Sequence, residues 1–595
     1  MTPPSISLEI RANTVDAVAP TAVCEQLARI VNSPGFTSSA RLCRFLIHIV
    51  NKTLEGDLDS LKEFTIAMEV FDRTSDYDPN IDAIVRVEAR RLRSKLKTYY
   101  EQGQGMNDPI LIGLRPGSYV PVFRWLDTHR ANDSRESGAL SEPGAPSIAV
   151  LPFVNMSPDP GQDYFCDGIS EEIINSLTRV AGLKVIARTS AFQFKGVSID
   201  IREVGQRLDA DVVIEGSVRK AGNQLRIAAQ AIHTESGHHL WSEMFRRELK
   251  DVFALQEEIA QSIAAFLRLH MPKARSRVRA FSNLDAYTRY LKARVLLNQQ
   301  SPETLRAAVQ QFRSVIERFP DYAVAYSGIA AANCFLALFG FVSGREIYPE
   351  ANSAAERGYA LDPESGDTCA ILAGVRSVFE HRWDDADMLC ERALKVQPGA
   401  AAAYMVRGMS LLCRGQINAA ESALRRSSEL DPLSPGDCAR MAYVQYLKGE
   451  YQAAEEHLRR SFELDRDYPE ARFYQGLLHL QQREYDRAIE CLSPSDFPLE
   501  IGLLAAGYAR KGCGAQALDC VEKLSRLKET QYVTPLAKAF AAIGMEHFDL
   551  AFQRLDEAID HKTSFVNMLL VEPFFDPIRC DPRFNRLLKR LNLSN

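Results

Sequence analysis

At 595 residues the chain is too long for one hydrophobic core, and its length fits about three to five domains. Its 46% apolar and 25% charged residues are ordinary for soluble globular protein. A net charge of −6 excludes polyanion binding by the molecule as a whole, so any affinity for DNA must be local. The twelve cysteines run from Cys24 to Cys580 with no CxxC pair, and several sit at small apolar positions of helical patterns, as thiols of a reducing compartment do. The N-terminal stretch lacks a basic segment followed by an apolar one, so no secretory signal is expected.

In chain order, residues 1–20 are expected to be disordered, and 21–126 form the first candidate domain. Within it Val85 to Lys97 reads VRVEARRLRSKLK. Val85, Ala89, Leu92, Leu96 and Tyr99 recur at steps of four and three, which predicts one apolar stripe of a helix. Arg86, Arg90, Arg93 and Lys97 repeat those steps one residue on, giving a cationic stripe beside it. About fifteen residues later, Ile110 to Phe123 reads as two short strands around Arg115-Pro116-Gly117-Ser118, a tight-turn sequence. From Ile84 to Arg124 eight Lys/Arg stand against three Asp/Glu, an excess that suits a major groove and its phosphates. The plainer reading is an amphipathic surface helix with solvated arginines.

Arg91-Leu92-Arg93-Ser94-Lys95-Leu96 followed by Leu114-Arg115-Pro116-Gly117-Ser118-Tyr119 resembles the recognition helix and wing of OmpR-type winged-helix regulators. Leu61 to Phe71, LKEFTIAMEVF, sits where that fold has its second helix. Two departures stand out: Glu88 lies within the helix, and Ser33 to Leu54 is longer than the usual form. The resemblance implies contact with double-stranded DNA through residues 21–126, with Arg86, Arg90, Arg91, Arg93, Lys95, Lys97 and Arg115 as candidate DNA-binding residues.

Residues 127–146, rich in Ser, Pro, Gly and charge, are expected to be a flexible linker. That position is where membrane-bound winged-helix sensors carry a transmembrane helix. Its polarity here predicts a cytoplasmic protein with no membrane association. Ile148 to Phe153 and Lys184 to Ala187 read as strands, with helical spacing over Tyr164 to Ala181 and Ile201 to Leu208. Asp211 to Arg219 and Gln224 to Ile232 read as a hairpin, with His239 to Phe245 as a further strand and Val252 to Leu267 as a closing helix. Interleaved strands and helices predict an α/β layer. The phrases IAVLPFVNMSPD, YFCDGISEEI, LKVIARTSAFQFKG and VVIEGSVRKAGNQLRI resemble the TolB-N-like domain, placed at 147–272, which implies a sensing or interaction module.

Beyond Leu284 the sequence repeats. Pro320, Pro363, Pro398 and Pro432 are each preceded twelve residues earlier by Ala308, Ala351, Ala386 or Ala420, with Phe312, Ala355, Cys390 or Leu424 four residues after the alanine. This is the tetratricopeptide (TPR) pattern, and Ala454, Ala488, Ala517 and Ala551 continue its phase. Seven or eight repeats over 282–595 are expected, closed by a C-terminal cap at Glu572 to Leu593, with a protein or peptide partner in the groove. The uncharged run Ala323 to Val342 is long enough to span a bilayer, but it falls in register with the repeats and reads as a buried helix.

No phosphate loop, HExxH or GxSxG motif is present, so no catalytic residue, cofactor or metal is assigned and an enzyme is not expected. His233, Glu235, His238 and His239 read as a turn, and Asp76, Asp78 and Asp82 lack the Gly and Glu of a calcium loop. The sequence thus describes a multidomain α and α/β protein: winged helix, TolB-N-like domain and TPR α-solenoid. Its leading function is transcriptional regulation, and its rival a non-enzymatic interaction scaffold whose winged helix does not bind DNA.

Overall fold

The computed structural model describes residues 20–593 except 38, 56, 58, 75–76, 78–81, 83, 103–107, 109, 115–118, 126–145, 250–251 and 268–283. The expected disorder at 1–19, the linker at 127–145 and the hairpin tip with Arg115 lie outside the described residues. The chain divides into two compact units, Met1–Leu140 and Ser141–Asn595.

The first unit contains helices α1 (Pro20–Val31), α2 (Pro34–Thr37), α3 (Ala40–Glu55), α4 (Glu63–Phe71) and α5 (Ile84–Gln102). The strands β1 (Ile110–Leu114) and β2 (Pro121–Trp125) then pair antiparallel, Ile112 opposite Phe123. The predicted stripe is the inward face of α5: Val85, Ala89, Leu92, Leu96 and Tyr99 are all buried against Phe45, Leu46, Ile49 and Ile66. Alternation along β1 adds Ile110, Ile112 and Leu114 to that core. Helix α5 begins where the Asp82 carboxylate accepts from the Ile84 N–H at 3.0 Å and so caps its first turn.

The second unit opens with six strands: β3 (Ser147–Val150), β4 (Val154–Asn155), β5 (Lys184–Val185), β6 (Val212–Ala221), β7 (Gln224–His233) and β8 (His239–Glu248). The sheet order is β5-β3-β6-β7-β8, with β4 beside β6. The pairs formed by β3, β4 and β5 are parallel, whereas β6-β7-β8 is an antiparallel meander. Gly222, with φ +58°, supplies the left-handed conformation that the two-residue β6–β7 turn requires. Helices α6 (Asp163–Leu177) and α9 (Val252–Phe266) share a core with one side of the sheet, while α7 (Arg188–Ala191) and α8 (Ile201–Leu208) lie by a smaller cluster around Ala149 and Val213.

From Leu284 to Asp560 the described residues form eight consecutive helix pairs. The eight phase-marking alanines, Ala308, Ala351, Ala386, Ala420, Ala454, Ala488, Ala517 and Ala551, lie one in each second helix, and each has zero exposure. Glycines on the first helices complete the contact. A Cβ on Gly328, Gly408 or Gly476 would stand 2.5–2.7 Å from Phe312, Leu424 or Leu492, the large residues four positions after an alanine. The Ala323–Leu338 helix is one of these repeat helices, and among the described residues no helix is long and apolar enough to cross a membrane.

The α/β layer and the repeats are not separately packed. Gly168 of α6 lies so close to Leu291 of the first repeat helix that a Cβ would meet it at 2.5 Å, and Gln256 of α9 donates to the buried Tyr287 hydroxyl at 2.8 Å. Two turns between helix pairs also dock on the layer. Gln397 Nε2 donates to Thr178 Oγ1 at 2.7 Å, and the Asp431 carboxylate accepts from the Ser190 N–H at 3.0 Å.

The C-terminal segment does more than the cap expected from sequence. After the last helix pair it forms two 3-10 turns, Ser564–Met568 and Pro573–Ile578, and a helix, Pro582–Arg590. These return against much earlier repeats. Asn567 Nδ2 donates to the Val378 carbonyl at 3.1 Å, Lys562 Nζ to that of Phe379 at 2.6 Å, and Trp383 Nε1 to that of Leu591 at 3.0 Å. Glu572, fully buried, accepts from the Tyr443 and Tyr446 hydroxyls at 2.8 and 2.7 Å, and burial raises its pKa above the ordinary carboxyl range.

Two outcomes follow from this packing. Ala420→Leu should overpack its helix pair and lower stability by about 1–3 kcal/mol, whereas Ala402→Leu at an exposed position should leave the urea midpoint unchanged. Burial, reinforced by the negative charge of Asp437, pushes Asp431 up to about 7 despite its Ser190 hydrogen bonds. A raised carboxyl pKa favours the protonated folded form. Its contribution is therefore complete below the ordinary value of 3.8 and lost as pH rises to about 7. The melting-temperature difference between wild type and Asp431→Asn should move against wild type across that window and level off above it; a flat difference would refute the burial account.

Candidate nucleic-acid interface

Helix α5 presents the basic stripe because its apolar residues turn inward. Arg86 and Arg90 are exposed and Arg93 is half-buried on the same side of the helix; the Lys97 side chain and all of Arg115 lie outside the described residues. Arg86 Nε lies 3.0 Å from Glu63 Oε1 of α4. Tyr119, on the returning limb of the hairpin, also faces Glu63, and burial with that carboxylate pushes its phenol up to about 12. Glu63 therefore joins α4, α5 and the hairpin.

The flanking cations are more engaged than the sequence indicated. Arg91 is exposed and holds the buried Glu88 at 2.8 Å, which explains how an acid is accommodated within the basic helix. Lys95 Nζ donates to Ser39 Oγ at 2.5 Å and lies 5.8 Å from the Phe36 ring centroid, so it ties α5 to the α2–α3 turn. Among the described residues Arg90 makes no ion pair, which leaves it more available than Arg86 with its Glu63 partner.

A second set of residues, not foreseen in the sequence, fixes the hairpin on α5. The Tyr100 hydroxyl donates to the Ile110 carbonyl at 3.1 Å, accepts from the Ile112 N–H at 2.9 Å, and accepts from Gln26 Nε2 at 3.3 Å. Burial pushes this phenol up to about 12. Asp108 accepts from Tyr99 at 2.5 Å and from Gln26 at 2.6 Å. The paired tyrosines at the end of the apolar stripe were the available signal, but their partners lie as far as 74 residues away.

His233 Nδ1 contacts Ser236 Oγ at 3.1 Å within the β7–β8 turn, as the turn reading required. Glu455, His479 and Glu484 bring possible ligand atoms within 4.8 Å of one another. However, His479 and Glu484 bond each other at 2.9 Å and Arg487 reaches both carboxylates, so the cluster is an ion-pair network.

Residues 144–262, most of the region read as TolB-N-like, match the second domain of the HilA/YgeH-like transcriptional regulators. Among curated proteins, putative adenylate cyclase 3 of Rhizobium meliloti is 38% identical over 230 residues, which is 38% of either protein. Transcriptional regulator HilA of Salmonella typhimurium is 21% identical over 343 residues, 57% of this chain and 56% of HilA. The chain thus matches little more than half the length of these relatives, or less. Similar solved structures include a tetratricopeptide repeat protein from Parabacteroides merdae, at 12% identity and TM-score 0.30, covering 42% of this chain and 93% of that one. Human IFIT1 with m7Gppp-AAAA has 14% identity and TM-score 0.39, covering 57% and 79%.

Tyr100→Phe keeps the ring and removes the hydroxyl that spans α1, α5 and β1. The expected loss is about 1–3 kcal/mol of stability in the first unit, read by urea titration, with faster amide exchange at Ile112.

Proposed function

We propose that this chain is a non-enzymatic, cytoplasmic, DNA-binding transcriptional regulator. Residues 21–126 act as an OmpR-type winged helix on double-stranded DNA, 147–272 as a TolB-N-like linking or sensing domain, and 282–595 as a TPR solenoid that takes a signal or a protein partner. The carrying observation is α5: one face is wholly buried, and the adjoining face presents Arg86, Arg90 and Arg93 ahead of a two-stranded hairpin. The HilA/YgeH-like match over 144–262 supports regulation as the setting. The adenylate cyclase name of the Rhizobium relative does not transfer on this reading, because the chain carries no segment resembling a catalytic cyclase domain and the match covers 38% of that protein.

The rival scaffold reading draws on the engaged cations. Glu88 holds Arg91, Glu63 holds Arg86 and Ser39 holds Lys95, which reduces the charge free for phosphates. Salt titration of binding by the full chain separates the two.

With about four to six phosphates neutralised, log affinity should fall against log salt with a slope of about −4 to −5. Arg90→Ala and Arg93→Ala should each weaken specific binding by about 1–3 kcal/mol if they read base edges. Arg115→Ala should weaken binding uniformly across sequences if it meets phosphate. A folded full chain that shifts neither genomic nor promoter fragments at low salt would leave the scaffold reading in place.

A further inference from the structure

The solenoid holds a partly open cavity of about 210 Å³. Its walls come from the first helices of consecutive pairs, with Phe335, Ile371, Met405 and Met409 among them, and from Phe565 on the returning C-terminal segment. Protein interiors leave few voids larger than a water molecule, and an apolar void of about 150 Å³ stays dry and takes up benzene. This one is larger and its lining is almost wholly apolar, so water entering it finds few partners.

Two unpartnered polar atoms interrupt the apolar wall, the Ser410 hydroxyl, which can donate and accept, and Asn567 Oδ1, which can only accept. Ser410, 2% exposed, lines the cavity, and its Oγ has no hydrogen-bond partner. A buried hydroxyl left unpaired is costly and invites a complementary group. The charged residues at the wall, Arg440 and Glu470, already pair with each other at 3.2 Å, and Asp437 holds Arg440 at 2.9 Å. Nothing there requires a charged ligand. Met405 and Met409 are flexible enough to adapt to its shape.

We propose that this cavity binds a small neutral molecule of about eight to twelve non-hydrogen atoms, aromatic or aliphatic, whose single hydrogen-bonding group meets Ser410. It rests on the regulatory reading only in making that molecule the signal, because binding in the cavity is measured without DNA. Phe565 belongs to the segment that returns from the far end of the solenoid, so occupancy acts directly on the seating of residues 564–568.

Toluene, p-cresol and p-toluate, titrated into the full chain by calorimetry and ligand-detected NMR, share a shape and differ in polarity. Toluene and p-cresol should bind saturably, p-cresol about fivefold tighter through one hydrogen bond, and the charged p-toluate at least about tenfold weaker than toluene. Ser410→Ala should abolish the preference for p-cresol and keep toluene binding. Gly374→Leu should fill the cavity and abolish both, since a Cβ there meets only Val406, at 4.0 Å. Met405→Trp is a second filling variant, introduced from a half-buried position, should the first lose its helical circular dichroism. Absence of saturable toluene and p-cresol binding to the folded wild type overturns the proposal. So does binding unchanged in a folded filling variant, or a p-cresol preference that survives Ser410→Ala.

Discussion

The close approach of two helices at a small residue is the contact on which the second unit depends. An isolated helix pair cannot bury its apolar face, and stacking is what removes that face from water. Stacking demands that backbones come near enough for a large side chain on one helix to fill the space above a glycine or alanine on its neighbour. Phe312 over Gly328, Leu424 over Gly408 and Leu492 over Gly476 are three such contacts. Dispersion falls steeply with separation, so a single added methyl group here affects a whole pair. The same closeness at Gly168 and Leu291 carries the rule from the repeats into the α/β layer and makes the two share a core.

Curvature of the stack brings distant sequence together, and polar contacts select one closure. The returning segment binds main-chain carbonyls of residues 378, 379 and 381 through Asn567, Lys562 and Asn592. Apolar burial alone would tolerate sliding of Phe565, Phe574 and Phe575 within the aromatic interior. Directed hydrogen bonds do not, and a buried carboxyl such as Glu572 that is met by two tyrosines and a main-chain N–H is satisfied in one position only. Burying such a group is unfavourable in itself; its effect is to distinguish one seating from its neighbours. As a result the solenoid interior is partly occupied by its own chain, and that segment forms part of the wall of an apolar cavity.

What the sequence revealed was governed by local period. The TPR phase, the β6–β7 turn, the α8 helix and the buried stripe of α5 each depend on spacings of two to four residues or on one turn, and each is where the pattern placed it. What it concealed was governed by distance along the chain. Lys95 looked like one more cation of a DNA-facing helix until Ser39, 56 residues away, proved to accept its hydrogen bond. Glu88 looked like a defect in that helix until its burial and its pairing with Arg91 appeared together. Glu572 read as part of a terminal cap, because nothing near it signals tyrosines 126 and 129 residues earlier. The cavity has no sequence signature, since it is defined by the volume that side chains from several helices leave unfilled.

The two candidate sites differ in the forces they use, and that difference gives them separable responses. Binding at the proposed α5 face would rest on exposed charge, which ions screen over about 8 Å at physiological strength. Binding in the proposed cavity would rest on apolar burial, which is not an interaction between charges. If occupancy of the cavity alters affinity for DNA by some factor, DNA must alter affinity for the cavity ligand by the same factor, since the linkage is a state function. Raising salt would then remove DNA and abolish its influence on ligand affinity while leaving intrinsic cavity binding in place. A ligand with equal affinity for the DNA-competent and DNA-incompetent states would shift neither, however tightly it bound. Regulation through the cavity therefore requires a ligand whose affinity differs between those two states, and the wall segment 564–568, held by directed hydrogen bonds such as that from Asn567 to the Val378 carbonyl, is where such a difference could be read.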